Sequence, residues 1–258
     1  MIVRKGEVEV GNSGSTDPAE APPAQSFLDR LTNVFMSPSE AFLDIARRPD
    51  FLAPFIVIVL SALAIAEAII WKIGMERIIR NTLEQRGQAE QMSPEQLEQA
   101  VERGAALAGT MAHIGGLLGP AFYVLLVAGL GLLILNLVFG ETIKFKAALS
   151  VACYAHLPAS LGGGLMAISL IFMGDPDEFN PQSPIPASIG FFLDPKTVSK
   201  PLYTFLISVD IFTIWFLLLL GVGLSEVCRR KVKPLSISLS YFVLWAFWIF
   251  GKMGLAAV

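Results

Sequence analysis

Residues 51–74, FLAPFIVIVLSALAIAEAIIWKIG, form a long apolar stretch without a polar face. A helix on the core of a soluble domain keeps one face polar, whereas a helix that faces lipid can be apolar all round. At about 1.5 Å per residue, a helix of this length crosses a hydrocarbon core of roughly 30 Å. Trp71 and Lys72 suit a membrane interface at its far end. The stretch therefore predicts a transmembrane helix.

The rest of the chain repeats this pattern. The protein has 258 residues, of which 54% are hydrophobic and only 16% are charged, and its mean hydropathy is +0.62. Such a composition lies outside the usual range of soluble globular domains. The predicted fold is all-α, a polytopic membrane helical bundle with about five transmembrane helices in residues 51–258. The four further spans are predicted at about residues 117–139, 147–173, 201–224 and 235–255.

The residues before the first span divide into a tail and a helical segment. Residues 1–25 are rich in Gly, Ser and Pro with few large apolar side chains, which predicts a disordered polar tail. In residues 26–50 apolar side chains recur at helical spacing and predict two interfacial amphipathic helices. Ser37, Pro38 and Glu40 have the spacing of a capping box, which predicts the start of the second helix at this point.

A polar insertion separates the first two spans. Residues 75–111 interleave Glu and Arg, and this pattern predicts a solvent-exposed helical hairpin. Ser93 and Gln96 have the spacing of a second capping box within it. Such boxes start helices and carry no catalytic meaning.

Basic residues in the later connections set the predicted orientation. Connections that carry Lys and Arg stay in the cytoplasm. We therefore predict a multi-pass protein of the cell (inner) membrane, with its amino end cytoplasmic and its carboxyl end outside. Anionic lipid headgroups are a second interpretation of the last basic cluster. The residues concerned are Lys144 and Lys146 after the second span, and Arg229, Arg230, Lys231 and Lys233 after the fourth.

The net charge and the motifs of the sequence argue against several classes of function. The net charge of −3 provides no basic surface for nucleic acid. The chain lacks the motifs H-E-x-x-H, G-x-S-x-G and G-x-x-x-x-G-K-[ST], which argues against zinc proteolysis, esterase chemistry and nucleotide hydrolysis. His113, His156, Cys153 and Cys228 do not have the spacing of metal ligands. We expect no enzyme activity, no cofactor and no metal.

Ionisable side chains inside the spans are the candidate functional residues. Each costs about 2.5–3.5 kcal/mol to insert, so each is a functional hypothesis. Glu67 and Lys252 lie towards the outer edge, where snorkelling to the interface also explains them. Asp210 and His156, with Tyr154 beside the latter, serve either interhelical hydrogen bonding or an ion, proton or ligand site. The sequence allows all four ionisable groups to converge on one polar site.

The third span contains helix-breaking residues. Pro158 removes a backbone hydrogen bond, and Gly162, Gly163 and Gly164 weaken the next turn. We expect this helix to be kinked or broken, which a membrane tolerates only where protein or water satisfies the freed carbonyls. The glycines lack the lysine of a phosphate-binding loop, so flexibility or close packing is the favoured interpretation.

A series of short motifs resembles the Yip1 family. They are FMSPSEAF at 35–42, RRP at 47–49, GP at 119–120 and FGE at 139–141, followed by Phe145, Ala148, Tyr154 and Pro158. Their order over about residues 30–255 is similar to that of bacterial Yip1-domain proteins. The resemblance implies a five-span helical bundle with a cytosolic amino end. Eukaryotic relatives are associated with Rab GTPases and vesicle traffic, and the insertion at 75–111 departs from the family pattern.

Two functions from different classes follow. The first is a non-enzymatic multi-pass protein of the Yip1 type that organises the membrane or recruits partners. Its partners would be membrane lipids, membrane or cytosolic proteins, or a second copy of the chain. The second is a small-solute or ion transporter or channel that uses the midplane polar residues of spans three and four. A cavity shared by His156 and Asp210 favours the second function, and its absence counts against transport.

Overall fold

The computed structural model describes residues 24–85, 87–176, 179–180, 184–194 and 197–256. Most of the predicted tail, residues 1–23, lies outside these ranges. The predicted all-α bundle is confirmed, because the described residues form helices and no strand. The helices are α1 (Phe27–Met36), α2 (Pro38–Arg47), α3 (Leu52–Ile73), α4 (Met75–Gln85), α5 (Pro94–Val138), α6 (Phe145–Met173), α7 (Lys200–Ser208), α8 (Ile211–Val227) and α9 (Pro234–Ala256).

Four of these helices are long and apolar enough to cross a membrane: α3, α5, α6 and α9. The turns 139–144 and 228–233 meet at one end of the bundle, where Lys231 Nζ lies 3.0 Å from Glu141 Oε2. We call this the basic end. At the opposite end α3 and α6 finish together, with the rings of Trp71 and Phe172 5.6 Å apart.

The segment predicted as the fourth crossing, 201–224, is not the single helix that the sequence indicated. It consists of α7 and α8, which are separated at Val209 and Asp210. Val209 has extended backbone angles, with φ −93° and ψ 91°. Asp210 is the N-cap of α8 and accepts a 2.9 Å hydrogen bond from the backbone N–H of Thr213. The short carboxylate satisfies an amide that a continuous helix would have paired, so the helix restarts here.

The third crossing is one continuous helix that contains an irregular turn. Helix α6 continues through Pro158–Gly163 as a wider π-helical turn, which accommodates the proline at the cost of regular hydrogen bonding. The glycines are positions of close packing. A β-carbon added to Gly162 would lie 3.1 Å from the ring of Phe212, and one added to Gly164 would lie 2.6 Å from Ser61 Oγ.

The amino-terminal hairpin, α1 and α2, packs against α6 and α8. Val34, Phe42 and Ile45 are fully buried and belong to the same apolar core as the crossings. Helix α2 begins at Pro38 as predicted, but the capping box predicted at Ser37 is wrong. Ser37 also ends α1, and with φ −141° and ψ 64° its side chain makes no capping bond. Residue 26 caps α1 instead, in a box with Asp29.

The polar insertion forms a helical hairpin of α4 against the first turns of α5. Arg80 and Glu98 join the two helices by an ion pair of 2.8 Å. The capping box of Ser93 and Gln96 is present as predicted. However, α5 runs from Pro94 to Val138 without a boundary near residue 117. The hairpin is therefore a direct extension of the second crossing.

Candidate functional site

A cavity of about 330 Å³ lies among α3, α5, α6, α7, α8 and the segment 184–188. Its walls are mainly apolar, with a few polar side chains on α6 and α8. Apolar clefts with a small number of polar groups are typical of small-molecule sites. The polar lining residues are Tyr123, His156, Ser188, Asp210 and Thr213.

His156 lies on α6, two residues before Pro158. Its ring packs between aromatic rings, with centroids 5.0 Å from Tyr123 and 5.3 Å from Phe216. Its Nδ1 atom is buried and has no hydrogen-bond partner among the residues that the structure describes. An unpaired buried nitrogen is costly, because most buried polar groups are hydrogen-bonded. His156 thus lines the cavity with one ring nitrogen that is still unpaired.

Asp210 lies on the wall formed by α8. Its Oδ1 atom accepts the hydrogen bond from the Thr213 N–H, and its Oδ2 atom accepts one from Thr213 Oγ1. Both bonds are to its own helix, whereas the packing interpretation of the sequence placed the partner on another helix. The ion pairs of the described residues do not include Asp210.

The segment before α7 completes the cavity. Ile211 donates a backbone hydrogen bond of 3.1 Å to the carbonyl of Ala187, and Ser188 forms an antiparallel bridge with Asp210. Gly190 allows the close approach, since a β-carbon there would lie 2.7 Å from the backbone nitrogen of Ile207. The segment thus folds back against the interrupted fourth crossing. Sequence reasoning missed this wall.

His156 and Asp210 therefore line one cavity, whereas Glu67 and Lys252 do not line it. Glu67 Oε1 lies 2.7 Å from His113 Nε2, and both side chains are more than half exposed. Lys252 Nζ donates a long hydrogen bond of 3.4 Å to Ser208 Oγ. The convergence of all four groups does not occur.

Tyr154 faces away from the cavity and towards α1. It is fully buried, and the guanidinium carbon of Arg30 lies 5.9 Å from its ring centroid. Arg30 is only 5% exposed. Its Nε atom donates to Asp44 Oδ2 at 2.8 Å, and its Nη2 atom donates to the carbonyl of Arg48 at 3.1 Å. Sequence reasoning missed this buried pair.

A second candidate surface is the basic cluster at residues 229–233. Arg230 pairs with the buried carboxylate of Glu226 at 2.6 Å, and Lys231 pairs with Glu141. Arg229 and Lys233 are exposed, and neither makes an ion pair with another described residue. Two of the four cations are therefore compensated within the protein, and two face outward.

Comparison with known proteins identifies one family. The model of the Yip1 domain matches residues 32–253, which include most of the amino-terminal hairpin and all of the crossings except the last residues of α9. No curated protein and no solved structure matches the chain significantly. Among the described residues, no three His, Cys, Asp or Glu side chains cluster in a way that could hold a metal ion.

Proposed function

Because the chain belongs to the Yip1 family, we propose that it is a non-enzymatic multi-pass protein that organises the membrane by binding anionic lipid at its basic end. The observation that carries the proposal is the outward-facing pair Arg229 and Lys233. Each basic residue near an anionic leaflet contributes about 1 kcal/mol of attraction. In this proposal the basic end and the amino end lie in the cytoplasm and the protein resides in the inner membrane.

The basic end presents these cations on a fixed backbone. Ser225 Oγ donates a 2.6 Å hydrogen bond to the Val232 carbonyl across the turn, and the ion pair of Lys231 with Glu141 joins the turn to its neighbour. Preorganised cations lose less entropy when they bind a headgroup than mobile ones do. The arrangement supports lipid binding at a defined position.

The amino-terminal hairpin supports the same proposal. It is docked by its buried face, and it leaves large apolar side chains exposed, among them Leu28 and Met36 at 68% and 77%. Apolar side chains on a helix beside a basic surface suit insertion between headgroups. Recruited membrane or cytosolic proteins, or a second copy of the chain, would meet this same surface.

Lipid retention tests the proposal. The full chain and the double variant Arg229→Gln with Lys233→Gln are exchanged into nanodiscs that contain equal amounts of phosphatidylglycerol and phosphatidylcholine. Phosphatidylglycerol that stays bound is then counted by native mass spectrometry. We expect the variant to bind it about 10- to 30-fold more weakly, since two contributions of about 1 kcal/mol are lost.

The control removes two cations elsewhere, with Arg103→Gln and Lys200→Gln, which lie outside the basic end. We expect this control to retain lipid like the unaltered chain. Equal retention by all three proteins would overturn the lipid proposal.

Transport of a small solute is the second candidate. The observation that favours it is the cavity shared by His156 and Asp210, beside the π-helical turn of α6 and the interrupted fourth crossing. Interrupted helices with ionisable groups at mid-depth commonly surround transport sites. Purified protein in liposomes that moves a solute, with loss of flux in Asp210→Asn but not in Glu67→Gln, would support this candidate.

A further inference from the structure

The charge of the cavity selects its ligand. Asp210 is the only Asp, Glu, Lys or Arg among the described lining residues. Lys252, the basic residue of α9, donates its hydrogen bond to Ser208, and neither residue lines the cavity. The bonds from Thr213 and the N-terminus of α8 offset part of the negative charge of Asp210. Because none of the described lining residues is a cation, the remaining charge favours a bound cation over an anion.

The walls restrict the kind of cation. Tyr123, Phe212 and Phe216 contribute three aromatic rings to the lining, and aromatic faces attract organic ammonium groups, most strongly where water is excluded. Hard inorganic cations require about six oxygen ligands. The side chains of this lining offer only one carboxylate and a few hydroxyls, whereas an ammonium on an apolar body matches both the charge and the walls.

His156 supplies the remaining contact. Its buried Nδ1 atom lacks a partner among the described residues, and a neutral imidazole offers one acceptor nitrogen. A protonated primary amine has N–H groups that can donate to this nitrogen as well as to the carboxylate. A quaternary ammonium has no such group.

We propose that the cavity binds a small hydrophobic amine in its protonated form. Asp210 is the counter-ion, the rings of Tyr123, Phe212 and Phe216 surround the ammonium, and His156 accepts a hydrogen bond from it. The site is a binding site whether or not its ligand crosses the membrane. It therefore stands independently of both functions proposed above.

The test uses the full chain in phosphatidylcholine nanodiscs and three probes of matched size. The probes are cyclohexylmethylammonium, its N,N,N-trimethyl derivative and the neutral cyclohexylmethanol. Binding is measured by titration calorimetry, with empty nanodiscs as the blank for partitioning into lipid. We expect saturable binding of the primary ammonium and binding of the alcohol that is weaker by about tenfold or more.

Two variants assign the contacts. Asp210→Asn removes the charge but keeps a good N-cap for α8, so we expect the fold to remain and affinity for both ammonium probes to fall about tenfold or more. His156→Phe removes the acceptor, so we expect it to weaken binding of the primary ammonium more than binding of the trimethyl probe. Glu67→Gln is the matched control, because it removes a carboxylate outside the cavity. It should change the affinity for neither ammonium probe.

Two results would overturn the proposal. The first is equal affinity of the unaltered chain for the alcohol and the primary ammonium, a comparison that needs no variant. The second is unchanged ammonium binding in Asp210→Asn. In either case the cavity recognises apolar shape and not charge.

Discussion

Arg30 is a charged residue whose side chain is almost completely buried. Its side chain is 6% exposed and that of Asp44 is 13% exposed. Removing both charges from water is expensive, and their mutual attraction with the added bond to the Arg48 carbonyl offsets that cost. The pair connects α1 to α2, and the Arg30 guanidinium also lies beside the ring of Tyr154. The docking of the amino-terminal hairpin thus depends on a charge pair inside an apolar contact.

Replacing only one partner of this pair should be severe. Arg30→Leu leaves the Asp44 carboxylate buried and unpaired, so we expect it to lower the free energy of unfolding by about 3–5 kcal/mol. The measurement is unfolding in detergent, followed by circular dichroism. Limited proteolysis between residues 47 and 52 should reveal release of the hairpin.

Two comparisons isolate the cause. Arg30→Leu combined with Asp44→Leu removes both charges and should recover much of the loss. Arg80→Gln breaks the exposed pair with Glu98 and should cost no more than about 1 kcal/mol. Equal losses in Arg30→Leu and Arg80→Gln would contradict the assigned role of burial.

Sequence reasoning found some of these residues and missed others for a physical reason. His156 and Asp210 are conspicuous because an ionisable group inside an apolar run is costly to insert into a membrane and so indicates a specific role. Arg30 lies in an amphipathic helix, where charged residues are expected, so the sequence does not distinguish it from an exposed arginine. A signal was present, since Arg30 is three residues after Phe27 and four before Val34 and so shares their apolar face. Its burial, however, results from contact with α6, which no local pattern encodes.

At the scale of the element, the fourth crossing owes its form to its N-cap. Asp210→Ala removes the acceptor for the Thr213 N–H, and we expect a loss of about 0.5–2 kcal/mol in the free energy of unfolding. Asp210→Asn should lose far less, because Asn is an equally good N-cap. Thermal unfolding of the two variants in the same detergent measures the difference. Equal losses in both would contradict the capping role.

Helices α8 and α9 pack closely through glycine. A β-carbon on Gly221 would lie 2.5 Å from the carbonyl oxygen of Pro234 and would also collide with Ser238. Backbone atoms cannot move aside as a flexible side chain can. We therefore expect Gly221→Ala to destabilise the protein by about 1–3 kcal/mol.

Gly129 in α5 is the matched control, since no neighbouring atom lies within 4 Å of a β-carbon there. Alanine is the better helix former, so Gly129→Ala should leave the unfolding temperature unchanged or raise it slightly. If both alanine variants unfolded at the same temperature, close packing of α8 on α9 would not be what Gly221 provides.

Element boundaries were predictable where the signal is local and not where it is tertiary. The box of Ser93 and Gln96 starts α5 as its spacing predicts. Hydropathy averages across Val209 and Asp210, so it predicted one span where two helices lie. The wall formed by 184–194 depends on the fit of Gly190 against Ile207, and such a contact between distant segments leaves no periodic pattern in either.

At the scale of the whole molecule, the fourth crossing decides the topology. Helix α8 has 17 residues, and at about 1.5 Å per residue it falls short of a hydrocarbon core of roughly 30 Å. Together with α7 and the capped break between them, the segment is long enough to cross. If this segment crosses, the five crossings place residues 91 and 197 on one side of the membrane and the basic end on the other.

Single cysteines can test this arrangement. In sealed right-side-out vesicles we expect a membrane-impermeant maleimide to label Gln91→Cys and Thr197→Cys at once, and Lys233→Cys only after permeabilisation, as the positive-inside rule requires. All three positions are exposed. The unaltered chain is the control, since Cys153 and Cys228 are buried and burial raises the pKa of the Cys228 thiol, which suppresses its reaction at neutral pH.

Labelling of Thr197→Cys and Lys233→Cys from the same side would mean that α7 and α8 enter and leave by one face. The bundle would then have four crossings, and residues 24 and 256 would lie on the same side of the membrane.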